Sequence, residues 1–239
     1  MEPKNQKAFD AYISLGDNCE PGLQFRRIGY EESSLFRFTV VDSEPLIKLL
    51  RNDFKDLFLK ENIEPASVDH MVIDRLTGVA FHSKLYSTID KISNQRVFRN
   101  DYDFNKVYRE EKKKVDYLVE KWRHLVASDK RVLYFRKRNC NSGREDAETI
   151  LATFNDCYPG HDFLILYIQS RDRSEPDWGH SRLRNLYLDY LAPYDKVETG
   201  ADNRGWNMIF RDYPLSHQPH QPQQPFFRRL QARFRRKRD

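Results

Sequence analysis

Ala11-Tyr12-Ile13-Ser14-Leu15-Gly16-Asp17-Asn18-Cys19-Glu20-Pro21-Gly22-Leu23-Gln24-Phe25-Arg26-Arg27 is the stretch from which the fold is read outward. Tyr12 to Leu15 is an apolar run of buried-strand length, Gly16 and Asp17-Asn18 are turn residues, and Pro21 suits the first turn of a helix continued by Leu23, Phe25, Arg26 and Ile28. Cys19 therefore stands where a strand becomes a helix. Unbonded backbone N–H groups and the positive end of the helix dipole favour a thiolate there, as a reactive cysteine requires. Glu20 opposes that charge unless its carboxylate turns to solvent, so a second activating group is needed. The same position also suits a small buried cysteine that only fills the strand–helix junction.

The later apolar runs extend this reading. Lys130 to Arg136 and Asp162 to Ile168 read as strands, with a helix from Glu145 to Tyr158 between them that Pro159-Gly160 ends. That order implies a right-handed βαβ unit with parallel strands. Asp103 to Ser128 spaces Val107, Val115, Leu118, Val119, Trp122 and Leu125 for one long helix with a solvated charged face. Nearer the start, Ser33 to Val41 reads as a second strand and Pro45 to Phe58 as an amphipathic helix. Met71 to His82 has the pattern of a hairpin whose second arm ends on His82. Beyond Ser170, Arg171 to Ser181 is a polar loop carrying Trp178 and His180, Leu183 to Leu191 reads as helical, and Asp195 to Glu198 as a last short strand. Gly200 to Arg211, with Asp202 and Trp206, suits a short helix. The expected fold is a three-layer α/β sandwich with a mainly parallel central sheet, a small β-hairpin insertion and a disordered basic C-terminal tail. Its parts are a polar lead-in over 1–10, a single α/β domain of catalytic type over 11–213, a Pro/Gln linker over 214–225 and a basic amphipathic tail over 226–239.

Charge is distributed unevenly. The net charge is +5, but seven basic residues against Asp239 place +6 in 226–239 and leave residues 1–225 at −1. A basic isoelectric point therefore argues nothing about nucleic acid on the folded body. In the tail, Phe226 or Phe227, Leu230 and Phe234 fall near one helical face among arginines, the pattern of an interfacial helix on an anionic membrane surface. Nucleic acid offers similar electrostatics and is the rival partner for that segment. No apolar run approaches the roughly 20 residues that span a bilayer, and residues 1–12 are too polar for a secretory signal. Cys19, Cys140 and Cys157 form neither a disulfide framework nor a zinc spacing, so a cytoplasmic setting, peripheral to the inner membrane through the tail, is expected. Without a Walker loop, zinc spacing or dinucleotide fingerprint, neither a metal nor a cofactor is expected.

With these features placed, the chain resembles a bacterial family of unknown function named as putative papain-like cysteine peptidases. The resemblance rests on Ser14-Leu15-Gly16-Asp17-Asn18-Cys19 with Arg26-Arg27 behind it, on Gly78-Val79-Ala80-Phe81-His82, and on Val132-Leu133-Tyr134-Phe135-Arg136. It covers roughly residues 11 to 211, and the first motif is the specific one. The family often has Pro-Phe-Asp-Trp where this chain has Leu35-Phe36-Arg37-Phe38, and His-Asp-Phe where it has His82-Ser83-Lys84. Both departures remove an acidic side chain, so the resemblance supplies no third member of a triad. The Gly-x-Asn-Cys opening is also similar to that of a capsular-polysaccharide family thought to transfer acetyl groups, which implies a setting in cell-surface polysaccharide biosynthesis. A papain-type enzyme starts its catalytic helix against a largely antiparallel sheet domain. The strand, turn, nucleophile, helix order here is nearer to hydrolases on parallel sheets.

The chemistry common to these readings is a thiolate that attacks a carbonyl and carries an acyl group, in a cysteine-dependent hydrolase or acyl transferase acting on a peptide, acyl or glycan substrate. Cys19 is the candidate nucleophile and His82, the histidine that matches the family motif, its base. Asp17 and Asn18 are candidates for shaping the turn or donating to an oxyanion, and they are also ordinary turn residues. Arg26, His180, Asp202 and Trp206 are candidates for a pocket wall, the last three equally suited to loop and core positions. The alternative is a noncatalytic binding domain of an envelope-assembly system, in which Cys19 and His82 are merely packed.

Overall fold

In the computed structural model, which describes residues 8–138, 143–193, 196–197 and 199–217, the opening stretch forms β1 (Ala11–Ser14) and α1 (Glu20–Arg27). Then come β2 (Thr39–Val40), α2 (Ser43–Arg51), β3 (Ile63–Pro65), β4 (Met71–Asp74), β5 (Val79–His82), β6 (Ser87–Ile89) and β7 (Arg96–Phe98). The second half holds α3 (Phe104–Val126), β8 (Val132–Lys137), α4 (Arg144–Cys157), β9 (Phe163–Ser170), β10 (Leu183–Leu188) and α5 (Asn203–Asp212).

The continuous apolar runs become adjacent parallel strands because each is covered on both faces. The central sheet has the order β1-β8-β9-β10, every pair parallel, with Ala11 opposite Val132, Val132 opposite Phe163 and Leu183 opposite Ile165. Alternate residues divide the core. Ile13, Val132, Tyr134, Phe163 and Ile165 face α2, α3 and α4, where Leu46, Trp122 and Phe154 are buried. Tyr12, Leu133, Phe135, Leu166 and Ile168 face Phe25 of α1 and Trp206 and Ile209 of α5. These are the three layers. Each fully buried large apolar side chain contributes about 1.5–3 kcal/mol. On α3, Val115, Val119 and Trp122 recur at helical spacing, and Asp103 caps the helix by accepting from the Lys106 amide.

The hairpin read at 71–82 is β4 and β5, and it belongs to a larger antiparallel sheet of order β2-β5-β4-β3. This sheet packs into the same core as the α2–α4 layer through Ile63, Val72, Val79 and Phe81. A further hairpin, β6 with β7, follows it.

Four local expectations are corrected. The strand expected over 33–41 is reduced to Thr39–Val40, with turns over Leu35–Phe38. The helix expected to reach Phe58 stops at Arg51, and Asp53, Phe54, Asp56 and Phe58 take positive φ. Tertiary bonds claim that backbone instead: the Phe58 amide donates to Asp74 Oδ2 at 2.7 Å, and Arg123 donates to the Asp53 carbonyl at 3.0 Å. Leu183–Leu188, expected helical, is β10, because the open edge of β9 offers a complete row of backbone partners. At the strand expected over 195–198, Lys196 and Val197 lie in a turn, and Asp195 and Glu198 fall outside the described residues. The domain edges also shift. Phe9 is fully buried and bridges to Leu215, and the Ser216 amide donates to the Phe9 carbonyl at 2.7 Å, so residues from both the lead-in and the linker join the body. Cys140, residues 218–225 and the tail over 226–239 lie outside the described residues.

Candidate active site

The turn that carries Cys19 is set by close packing. Gly16 has φ of +80°, and a Cβ there would stand 2.3 Å from Val41 Cγ1, so only glycine permits the approach of the β2 segment. Asp17 follows, also with positive φ, and its carboxylate accepts from Arg138 Nη1 at 2.9 Å. Burial holds the Asp17 carboxyl above its ordinary value, against the pull of Arg136, Arg138 and Lys137. Asn18 is buried, and its Oδ1 accepts from the Glu20 amide at 3.0 Å, which tightens the entry to α1. Both residues are thus committed to shaping the turn. Cys19 is the N-cap residue of α1, at the C-terminal edge of the parallel sheet where open α/β folds place their ligands.

Glu20 does not turn to solvent. It is fully buried, 2.7 Å from the equally buried Lys137 Nζ, and accepts from Trp206 Nε1 at 2.8 Å and from the Ala192 amide at 3.1 Å. Lys137 meets its charge, and the carboxylate ties the start of α1 to β8 and α5.

His82 arrives from the other sheet. β2 pairs with β5 through Thr39 opposite Phe81, and β2 lies directly after the segment that packs on α1. This brings His82 Nε2 to 3.4 Å from Cys19 Sγ, across 63 positions of sequence. The His82 ring stacks on His70 with centroids 5.0 Å apart and planes at 19°, and His70 Nδ1 lies 2.7 Å from Asp69 Oδ1. No carboxylate among the described residues bonds His82. Asp69 and His70 were missed in the sequence, although the hairpin register points to them: Met71 stands opposite His82, and the Ser83 amide donates to the His70 carbonyl.

Burial pushes the Cys19 thiol up to about 11. Burial, then the charges of His70 and Lys114, push His82 below its ordinary value. Both shifts favour the neutral thiol and neutral imidazole over an ion pair. The helix start alone was expected to favour a thiolate, and desolvation outweighs it here.

Cys19 and His82 open on a cleft of about 600 Å³ that Leu23, Arg26, Phe38 and His70 also line. A second cavity of about 320 Å³ shares Arg26, Phe38 and His82 as its wall. The remaining pocket candidates stand elsewhere. His180 pairs with Glu148 at 2.8 Å, Asp202 caps α5 by accepting from the Gly205 amide, and Trp206 is fully buried against Glu20. None of these three lines the cleft. Among the described residues, no group of three or more His, Cys, Asp or Glu side chains could hold a metal ion, and no helix is long and apolar enough to cross a membrane.

No curated protein and no solved structure matches the chain. A family model does, over residues 10–172, a span that takes in the Cys19 turn, His82 and the strands as far as β9. By that match the chain belongs to the family described as "Putative papain-like cysteine peptidase (DUF1796)".

Proposed function

We propose that the protein is a cysteine-dependent hydrolase or acyl transferase in which Cys19 attacks a carbonyl and His82 moves the proton. The observation that carries this is the 3.4 Å approach of Sγ to Nε2 at the mouth of a cleft large enough for a small substrate. Family membership supports hydrolysis by cysteine at a coarse level. Because the resting pair is neutral, His82 takes the thiol proton as the S–C bond forms, instead of storing a thiolate beforehand. The carbonyl oxygen then carries the negative charge. The Cys19 amide at the start of α1, which no described hydrogen bond uses, is the donor available to it. His82 returns the proton to the leaving group, and the thioester so formed is released by water or by an acceptor hydroxyl or amine that His82 deprotonates. The Asp69–His70 pair flanks His82 in place of a carboxylate partner.

This arrangement sets the pH dependence. The acidic limb of kcat/KM is expected below pH ~6.5, since His82 must be neutral and its value is lowered. Alkylation of Cys19 by iodoacetamide is expected to climb through the alkaline range without levelling off near neutrality. His82→Ala should reduce kcat/KM by about 10²–10⁴-fold. A neutral plateau in the alkylation profile would mean a preformed ion pair and would refute the concerted transfer.

The burial and high thiol value of Cys19 favour one other reading, a binding domain in which the pair is packed and inert. That reading expects Cys19 to resist alkylation at every pH. A place in cell-surface polysaccharide biosynthesis rests on sequence resemblance, and attachment to an anionic membrane on the composition of 226–239. For the latter, full-length protein should pellet with anionic vesicles at low salt and a chain lacking 226–239 should not. Equal pelleting would discard the anchor.

A further inference from the structure

The described lining of the cleft beside Cys19 is unbalanced in charge. Among its described lining residues are two permanent cations, Arg26 and Lys196, and no carboxylate. Asp69, which holds His70, is not part of the lining. Arg26 comes from α1, about two helical turns beyond the nucleophile, and its side chain is 56% exposed. Its guanidinium lies 5.1 Å from the Phe38 ring centroid, and its one carboxylate neighbour among the described residues, Glu31, is 3.9 Å away. Glu31 stands nearer to Arg37, at 3.6 Å, so much of its charge is already met. Lys196 comes from the turn after β10 and has no ion-pair partner among the described residues, which do not include its near neighbours Asp195 and Glu198. Leu23, Phe38, Val68 and Val197 supply the apolar part of the wall.

An exposed guanidinium that shares Glu31 with Arg37, and an ammonium with no ion-pair partner among the described residues, beside an apolar wall, suit an oxyacid group attached to a compact carbon skeleton. We infer that the cleft is an anion subsite: the substrate bears a carboxylate or phosphate close to the carbonyl that Cys19 attacks, held by Arg26 and Lys196. This rests on the reading of Cys19 as nucleophile, and it adds a substrate class to it. The two cations come from elements far apart in sequence, α1 and the segment after β10, so the selectivity belongs to the folded cleft and not to a basic run.

The test compares iodoacetate with iodoacetamide, reagents of nearly the same size that differ in charge. The rate of each at Cys19 is read by peptide mass spectrometry on the full chain at pH 9, and the same ratio in the urea-unfolded chain supplies the reference. The folded protein should favour iodoacetate by about tenfold over that reference, as a focused field raises the local concentration of an anion. Arg26→Gln with Lys196→Gln should return the ratio to the unfolded value, Arg26→Lys should keep most of the preference, and Lys196→Glu should reverse it. At matched ionic strength, suppression of the preference by glutarate or by inorganic phosphate distinguishes carboxylate from phosphate substrates. If neither competes, the preference is a diffuse field and the subsite is refuted. A Cys19 that reacts with both reagents at the unfolded ratio overturns the subsite and leaves the nucleophile standing. A Cys19 inert to both overturns the nucleophile, and the subsite falls with it.

Discussion

Cys19→Ala is expected to lower kcat/KM by at least about a thousandfold, to the level left by binding and oxyanion stabilisation alone. The same change is expected to leave the unfolding free energy within about 1 kcal/mol of the parent, since it removes one atom at the mouth of a cleft and leaves the Cβ in place. The turn does not depend on the sulfur. Gly16 against Val41, Asp17 on Arg138, and Asn18 on the Glu20 amide hold it without help from Sγ. Denaturant unfolding and a thioester or ester assay together decide the matter. A variant that lost about 2 kcal/mol and kept its activity would make Cys19 a packing residue.

The second large effect is expected at Lys137. Lys137→Met leaves the Glu20 carboxylate fully buried with its two N–H donors and no cation, and should cost about 3–5 kcal/mol in urea unfolding. Adding Glu20→Gln in the same chain removes the uncompensated charge and should recover a substantial part of that loss. The coupling measured by the double-mutant cycle is the informative quantity, because the desolvation of two ions opposes their attraction and the pair's net worth is smaller than the damage done by breaking it. Glu20 is the first residue of α1 and adjoins Cys19, so the single variant should also impair any activity that depends on the nucleophile's position. A Lys137→Met protein within about 1 kcal/mol of the parent would show that water or a rearranged partner reaches Glu20, contrary to its complete burial.

These two sites mark the boundary between local and tertiary information. Tyr12–Leu15, Val132–Arg136 and Phe163–Ile168 declare themselves as strands in the sequence because a strand buried on both faces is apolar throughout, whatever surrounds it. α3 is legible for a similar reason, its apolar residues recurring at helical spacing over six turns. Leu183-Arg184-Asn185-Leu186-Tyr187-Leu188 is not legible, since its apolar positions fit a short helix as well as an edge strand. The unpaired side of β9 decides between them. The end of α2 is hidden in the same way: the carboxylate of Asp74 and the side chain of Arg123, both distant in sequence, take up the backbone that further helical turns would have used.

At the candidate site, the sequence by itself picked out Cys19 at a strand–helix turn and His82 at a strand end, because those placements are local patterns. Their contact at 3.4 Å was decided only when the antiparallel sheet docked beside α1. The stacked His70, the Glu20–Lys137 pair and the pairing of Arg26 with Lys196 around one cleft likewise join residues that no window of sequence contains. The protonation of the pair belongs entirely to the tertiary structure. A thiol at a helix start is acidic in water, and it is burial that raises Cys19 to about 11, a cost set by how much solvent the folded chain excludes and not by the residues beside it in the sequence.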